Sequence, residues 1–580
     1  MGEGYAYQIG WGRQEIEIPP AGFAMHGYGQ PRHQALTQRS PLHARALYIK
    51  DPDDQALWFC CLDLGYVTYA MREAICVQLR TLEGEGFDEA RLVLTCTHTH
   101  SGPGGCSHDV LYNLVTPGFQ PEHLARVVAA ACGALKSAQL AAVPADLDLY
   151  QGNMGEEVEV AWNRSLDAYN RNPDVTPLPA TQTQRAVDRG MSVLAVRSAG
   201  QITALLSLFG VHATCLSSRL RGHDGDNKGY AARHAETALA GAGNEHPVAI
   251  FAQATAGDVS PHDQGPRAYT RRMARKGEAE YYYARENGER QSRFALELLG
   301  LPPEMKVHGR TDAVLTYIDF TNVKADPAFA EGEPEAWTSE PCHGVAFFAG
   351  TPVDGPGMPK PLVAGAKLIA RRVKARRLRN LAEYGSSERA YFERLYAAQG
   401  AKDILMESGR KYVLGRPFSR LPLPGFADPL VDELKRQVRA GAVQTSAMVP
   451  TVLPLQIVTL GALAVVCCPG EFTTVAGRRV RDTVMATLAP EGIKQVLICT
   501  YCNDYMGYVT TCEEYQQQAY EGGHTLYGQW TLAAFQTHFA QLAQQLARPV
   551  KARSHDQVTR PKPVPEHELA LRSNLSPRRP

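Results

Sequence analysis

The stretch RLVLTCTHTHSGPGG, Arg91–Gly105, joins a short apolar run to a polar, glycine-rich turn. The run Arg91–Cys96 has the length and composition of a buried β-strand. His98 and His100 follow it two positions apart, so in an extended chain both side chains point to the same face. One of them is suited to bind a metal and the other to carry a proton. A lone His-X-His is a weak signal, however, and hydrogen-bonded structural histidines are the alternative.

The same pattern, an apolar strand that ends in polar or glycine-rich residues, recurs along the chain. The other predicted strands are Thr203–Val211, Pro247–Ala252, Ala462–Cys468 and Gln495–Cys499. Helical patterns alternate with them at Pro121–Ser137, Arg267–Leu299 and Leu368–Ala398. This alternation predicts an α/β fold in which mixed β-sheets are flanked by helices.

Side chains with useful chemistry stand just past several of these strands, where α/β sheets usually build their ligand crevices. His212 ends the run LLSLFGVH, Ser260 lies in the turn GDVSP, and Glu471 follows the Pro-Gly turn of AVVCCPGEFTT. Each also has a structural interpretation: a core histidine, a turn residue and a charge at a helix N-terminus. Ser260 has no G-x-S-x-G sequence around it, so a serine triad is not indicated.

Two imidazoles and a carboxylate form a good ligand set for zinc. The segment CNDYMGYVTTCEEYQQQAYEGG is unusually rich in tyrosine and ends the series of polar segments. The residues alone do not choose among its tyrosines, which are Tyr505, Tyr508, Tyr515 and Tyr520.

Composition excludes several classes of protein. The 580 residues carry a formal net charge of +0, which removes the broad electrostatic argument for nucleic acid as a partner. The start of the chain lacks the basic and apolar regions of a secretory signal. The apolar stretch Val452–Cys468 is interrupted at Gly461 and is better explained by two buried strands than by a membrane helix. The 13 cysteines, with a single C-x-x-C at Cys499–Cys502, do not resemble a secreted disulfide framework. We therefore expect a cytoplasmic protein.

Two further segments have a distinct composition. From Arg548 the chain is rich in Pro, Arg and Lys without apolar periodicity, which predicts a linker or mobile tail. The run KARRLR, Lys374–Arg379, lies inside a predicted helix. A solvated helix face is the favoured interpretation of this run, and contact with anionic headgroups is the alternative. Peripheral membrane contact thus stays open, and the oligomeric state is not predicted.

Seven segments in a fixed order resemble the neutral/alkaline, non-lysosomal ceramidases. They are THTHSGPGG, NRS at Asn163–Ser165, GDNKGYA at Gly225–Ala231, GDVSP, FFAGTPVDGPG at Phe347–Gly357, PGEFTTVAGRR and YVTTCEEYQQQAYEGG. The resemblance runs from about Tyr7 to about Leu546. It implies one large catalytic domain over residues 1–547 and a Pro/Arg-rich C-terminal tail over residues 548–580. On this basis we expect the family's C-terminal β-sandwich to be absent.

The resemblance also implies a set of site residues. The Zn²⁺ ligands would be His98, His212, Glu471 and Tyr508. The catalytic residues would be His100 as proton carrier, Ser260 in the active site, and Arg164 and Tyr520 as hydrogen-bonding groups near the scissile bond. The implied reaction is zinc-dependent hydrolysis of an N-acyl amide, above all ceramide, to fatty acid and sphingosine. Alternatives are an amidase or esterase for another acyl compound and a catalytically silent lipid-binding relative.

Overall fold

The computed structural model describes residues 7–355, 357–420 and 429–577. The two ends of the predicted domains, residues 1–6 and 578–580, lie outside the described residues, as does Pro356 of the segment Phe347–Gly357. The described chain folds into mixed sheets flanked by helices, so the predicted α/β class is confirmed.

The largest sheet has nine strands and carries the N-terminal half of the site. In spatial order eight of them are Val248–Ala252, Gln201–Leu208, Gly190–Ser198, Val143–Asn153, Tyr7–Glu15, His43–Lys50, Ala56–Leu62 and Leu92–Cys96. The ninth strand, Met305–Val307, pairs with Val143–Asn153. The first pair and the last pair in this order are parallel and the other pairs are antiparallel.

The second sheet carries the C-terminal half of the site. Its four strands are, in order, Thr311–Asp319, Val452–Leu460, Leu463–Cys467 and Gln495–Cys499. The predicted break at Gly461 is confirmed, since this residue has φ +54° and a Cβ there would lie 1.8 Å from the carbonyl oxygen of His308. Only glycine fits such a turn without strain. Apolar residues of both sheets pack in common clusters, which fixes the two halves against each other.

Shorter strands complete the fold. A third sheet of four strands contains Cys342–Gly344, Ile404–Glu407, Tyr412–Val413 and Arg416–Pro417. Four two-residue pairs join loops near the strand ends: Met25–His26 with Gly102–Pro103, Thr37–Gln38 with Gly222–His223, Trp162–Asn163 with Val259–Ser260, and Glu471–Phe472 with Tyr508–Val509.

Helices cover the sheets. Their bounds are Tyr69–Glu83, Val110–Asn113, Pro121–Leu140, Leu166–Tyr169, Asp226–Gly241, Ala268–Ala274, Glu278–Leu298, Val345–Phe348, Lys360–Arg379, Ser386–Gln399, Pro429–Arg439, Thr474–Leu488, Cys512–Gln517, Tyr520–Gly523, Thr531–Leu546 and Glu566–Leu571. No helix in the described ranges combines the length and the apolar character needed to cross a membrane.

Two predicted helices are wrong as single elements. The range Arg267–Leu299 contains two helices separated at Gly277, whose φ of +58° interrupts the helical backbone. The range Leu368–Ala398 likewise contains the end of one helix and most of another. Helical periodicity reports the buried face and not the backbone angles, so it does not detect a short turn between two helices.

The C-terminal segment does not behave as the predicted mobile tail. Arg572 and Glu568 are fully buried, and Ser573 forms a β-bridge with Phe119. Arg572 Nη2 donates a hydrogen bond of 2.7 Å to the carbonyl of His108. Polar pairing holds this segment on the domain, which an analysis of apolar periodicity does not detect. The domain boundary at residue 547 stays a prediction.

Candidate active site

His98 lies two residues past strand Leu92–Cys96 and adopts φ +63°, which turns its ring toward the centre of the site. Its Nδ1 lies 2.6 Å from the carbonyl oxygen of Gly65, and its ring stacks on Tyr501 with centroids 4.3 Å apart. A carbonyl partner at Nδ1 keeps the proton on that nitrogen. The lone pair of Nε2 is therefore free to face a metal.

His212 reaches the same point from the other end of the large sheet. It follows strand Gln201–Leu208, and the loops after the two strands meet where Thr99 forms a parallel bridge with Ala213. The Nδ1 of His212 lies 3.1 Å from the carbonyl oxygen of Val259. As in His98, this contact leaves Nε2 directed inward.

Glu471 and Tyr508 come from the second half of the chain and stand side by side on two parallel two-residue strands. The Oε2 of Glu471 lies 2.8 Å from His212 Nε2 and 3.5 Å from His98 Nε2. The hydroxyl of Tyr508 lies 3.2 Å from His212 Nε2. Ligands at 2.0–2.1 Å around a tetrahedral zinc are about 3.3 Å apart. The spacing and the N/O donor chemistry of these four side chains therefore fit a zinc ion.

The protonation states also suit a metal. Burial raises the pKa of the Glu471 carboxyl, but the imidazoles of His98 and His212 outweigh it and hold this pKa well below its usual range. The hydroxyls of Tyr501 and Tyr505 both donate to the Glu471 carboxylate, and the hydrogen bond from Tyr505 adds to this lowering of the pKa. Burial lowers the pKa of His98 to about 4. An ionised carboxylate and a neutral imidazole are the forms that ligate zinc.

His100 lies beside these four candidate metal ligands. Its Nε2 lies 3.1 Å from His98 Nε2, and Tyr28 packs edge-on against its ring with centroids 4.7 Å apart. Its buried Nδ1 has no hydrogen-bond partner in the described part of the chain. The ligand atoms of His98, His100 and His212 all lie within 4.8 Å of one another, so this buried histidine group can bind a metal.

Arg164 connects Tyr508 to the surrounding loops. Its Nη2 donates to the Tyr508 hydroxyl at 3.0 Å and to the carbonyl of Gly257 at 2.8 Å, and its Nε donates to Glu521 at 2.8 Å. The ring of Tyr520 lies 5.3 Å from that of Tyr508 and 5.4 Å from the guanidinium carbon. Burial and the nearby Glu471 carboxylate hold the pKa of the Tyr508 hydroxyl well above its usual value, and the Arg164 cation offsets only part of this rise.

Ser260 lies in the same region, but its hydrogen bonds differ from those of the serine in a catalytic triad. Its hydroxyl donates to Asp354 Oδ1 at 2.6 Å, and Asp354 Oδ2 accepts from Arg164 Nη1 at 3.3 Å. The Oγ of Ser260 accepts from the backbone N–H of His262 at 3.0 Å. No imidazole of the described residues hydrogen-bonds to this hydroxyl. The structure thus brings all eight predicted side chains into one connected region.

Sequence reasoning missed three residues that support the site, Tyr501, Asp354 and Glu521, and it did not single out Tyr505 among the tyrosines of its segment. Asp354 lies in the segment Phe347–Gly357, which was noted only as a family segment, and it is 7% exposed. Tyr505 belongs to the tyrosine-rich segment, and Tyr501 lies directly before that segment, two residues after strand Gln495–Cys499. Their contacts with Glu471 depend on tertiary packing, so no local pattern distinguishes them from other tyrosines.

A family model described as "Neutral/alkaline non-lysosomal ceramidase, N-terminal" matches residues 7–414 and 435–537. The chain belongs to the neutral/alkaline non-lysosomal ceramidase family. The neutral ceramidase of Pseudomonas aeruginosa is 31% identical to it over 544 residues, which cover 93% of this chain and 72% of that protein. The neutral ceramidase of Mycobacterium tuberculosis is 30% identical over 552 residues, which cover 93% and 78%.

Solved ceramidase structures share the fold. The crystal structure of the neutral ceramidase from Pseudomonas aeruginosa matches with a TM-score of 0.75 at 28% identity, covering 97% of this chain and 77% of that one. A ceramidase complexed with C2 matches with a TM-score of 0.77 at 28% identity, covering 97% and 78%. The predicted ceramidase resemblance is therefore confirmed, and all eight predicted site residues lie inside the matched ranges.

Proposed function

We propose that this protein is a zinc-dependent hydrolase of N-acyl amides and that ceramide is its substrate, cleaved to fatty acid and sphingosine. The observation that carries the proposal is the meeting of His98, His212, Glu471 and Tyr508 at ligand spacing. The names of the ceramidase relatives support the substrate. A zinc ion held by these four would polarise the amide carbonyl and lower the pKa of a water molecule to about 7.

The remaining groups handle protons and orientation. His100, whose Nδ1 has no described partner, accepts a proton from the attacking water and returns it to the amine nitrogen. The hydroxyl of Tyr520 donates to the developing oxyanion. Arg164, fixed by Glu521 and Asp354, orients Tyr508 through the hydrogen bond to its hydroxyl. The oxygen of water becomes part of the fatty acid, the C–N bond breaks, and sphingosine leaves as the amine.

Ser260 offers a second route to the same products. Its oxygen would attack the carbonyl while its proton passes to Asp354 Oδ1, 2.6 Å away. The C–N bond would break as this proton moves on to the departing amine, which leaves the acyl group on Ser260. The acyl-enzyme would then be hydrolysed by water. Rapid quench of a labelled substrate separates the routes, because an acyl group on Ser260 rules out direct attack by water, and single-turnover release without such an adduct rules out the serine route.

The substrate is tested with N-acylsphingosine, a matched O-acyl ester and several N-acyl amino acids, with purified protein of known metal content. We expect the amide of sphingosine to be hydrolysed with the highest kcat/KM. Preferential cleavage of the ester would favour the esterase alternative, and preference for an N-acyl amino acid would replace ceramide as the substrate. Binding of these lipids without release of fatty acid from any of them would contradict the proposal and favour a silent lipid-binding protein. The cytoplasmic location stays a prediction.

A further inference from the structure

Helix Lys360–Arg379 lies on the surface with most of its side chains in solvent. Only Ala370 and Arg377 of this helix are buried. Leu362, Leu368 and Ile369 are 61%, 51% and 45% exposed. A single exposed leucine needs no explanation, but apolar exposure concentrated on two turns of one helix marks an interaction surface.

The exposed side chains form a stripe opposite the packed side of the helix. Residues three or four positions apart share a helix face. The packed stripe, which is buried or half-buried, contains Val363, Ala366, Ala370, Val373 and Arg377. The opposite, exposed stripe contains Pro361, Gly365, Leu368, Arg372, Arg376 and Arg379. In the first half of the helix this stripe has proline, glycine and leucine, with the exposed Leu362 and Ile369 on one flank, and in the second half it has three arginines.

The charge of the helix indicates an anionic partner. Its sequence KPLVAGAKLIARRVKARRLR has Lys or Arg at eight positions and contains no Asp or Glu. Arg371 pairs with Asp403, and Arg377 pairs with Glu407. The exposed arginines of the stripe form no ion pair with any described residue. Because the whole chain has a formal net charge of +0, this is a local concentration of positive charge.

The apolar half of the helix begins next to the candidate active site. The ring of Phe347 lies 5.2 Å from that of Tyr520, and the backbone N–H of Met358 donates to the carbonyl of Phe348 at 2.7 Å. The helix starts two residues after Met358. A membrane in contact with its first turns would therefore lie close to the groups that we propose to cleave a lipid amide.

We propose that helix Lys360–Arg379 docks the protein on the surface of a bilayer that contains anionic lipids. The apolar half enters the boundary between headgroups and acyl chains, and the exposed arginines contact the headgroups. The choice of a membrane as partner rests on the proposed action on a lipid amide. For Arg376 and Arg379 of the run Lys374–Arg379, contact with anionic headgroups replaces the favoured interpretation of a solvated helix face.

Co-sedimentation of the full-length protein with vesicles tests this proposal. We expect binding to phosphatidylcholine vesicles with about 30% phosphatidylserine to be at least about tenfold tighter than binding to phosphatidylcholine alone. The triple variant R372E/R376E/R379E and the double variant L368S/I369S should each weaken binding to the anionic vesicles about tenfold. Binding should also weaken in about 0.5 M NaCl, since salt screens exposed charges.

A matched control is available on another helix. Lys136 and Leu140 are both exposed on helix Pro121–Leu140, and Leu140 is 76% exposed. The variant K136E/L140S should therefore bind vesicles as the wild type does. All variants should keep the wild-type rate on a short-chain, water-soluble N-acylsphingosine without vesicles, because none of the changed residues contacts the site.

Three outcomes would overturn the docking proposal: equal binding to neutral and anionic vesicles, wild-type binding by both helix variants, or preference for an RNA probe over anionic vesicles. Failure of the proposed enzymatic function would give a different result from these three outcomes. A protein that binds anionic vesicles through this helix but hydrolyses no amide would contradict the enzymatic proposal and leave the docking surface in place.

Discussion

The hydroxyl of Ser260 donates a hydrogen bond of 2.6 Å to Asp354 Oδ1, and the other oxygen of the same carboxylate accepts from Arg164. Asp354 is 7% exposed and Arg164 is 8% exposed. A buried ion pair that also orients a hydroxyl is costly to break, because the cation left behind loses a partner in a low-dielectric environment. Asp354 therefore holds two of the predicted catalytic residues in one geometry.

Replacing Asp354 by Asn should lower kcat by about 10- to 100-fold and the free energy of unfolding by about 2 kcal/mol. The amide keeps the shape of the side chain but removes the charge that faces Arg164. Steady-state kinetics on N-acylsphingosine and chemical denaturation measure the two effects. The control is Asp263→Asn, which breaks a surface ion pair with Arg271. It should change kcat and the free energy of unfolding only slightly. Wild-type kcat in the Asp354 variant would contradict the positioning role.

Removing one of the four proposed ligands should reduce the zinc content. We expect purified wild-type protein to bind about one zinc per chain, and His98→Ala and Glu471→Gln each to lower the affinity by about 100-fold or more. Metal analysis by atomic emission after equilibrium dialysis gives the stoichiometry. His567→Ala, at an exposed position, is the control. Full zinc content in both ligand variants would place the metal elsewhere.

Chelation should abolish hydrolysis, and added zinc should restore it. The reason is that the four side chains offer a carboxylate, two imidazoles and a phenol but no group that polarises a carbonyl as strongly as a divalent cation. Activity is measured before chelation, after chelation and after addition of zinc or magnesium. Undiminished hydrolysis by metal-free protein would exclude the proposed mechanism.

His33 should make the protein sensitive to acid. It is fully buried, neither ring nitrogen has a hydrogen-bond partner among the described residues, and burial lowers its pKa to about 3. Below pH 6.5 the unfolded chain takes up a proton that the folded His33 does not, so the free energy of unfolding falls as the pH falls toward 3.

The contribution of His33 is measured by denaturation of wild type and His33→Leu between pH 7 and pH 4. The stability of the variant relative to wild type should rise by up to about 1.4 kcal/mol for each pH unit of acidification below 6.5. His567→Leu, at an exposed position, should follow the wild type. Parallel stability curves for wild type and the His33 variant would contradict a lowered pKa of His33 in the fold.

Glu568 should contribute strongly to stability although it lies in the segment that was predicted to be mobile. Its carboxylate accepts four hydrogen bonds, one from the backbone N–H and one from the hydroxyl of each of Thr445 and Ser446. Glu568→Gln should lower the free energy of unfolding by about 3 kcal/mol, because buried donors lose their acceptor. Glu566→Gln on the same helix, at an exposed position, is the matched control. Equal stability of the two variants would mean that the segment does not pack in solution.

The local elements were largely predictable. Strand Gln495–Cys499 has the predicted bounds, and the break at Gly461 between two strands follows from the turn residue itself. Helix Pro121–Leu140 was predicted in type and start. The interruption at Gly277 was missed, because the seven-residue helix before it is too short to show an apolar pattern of its own.

The candidate site likewise contains residues that the sequence indicates and contacts that only the fold decides. The sequence by itself determined that His98, His212 and Glu471 follow buried strands, because strand and turn preferences depend on residues within a few positions of each other. Which tyrosine lies beside His212, that Asp354 joins Ser260 to Arg164, and that the C-terminal segment packs on the domain were decided only by tertiary structure. These contacts join residues that are far apart in the chain. Their formation depends on how the two sheets pack against each other, which no local pattern of residues specifies.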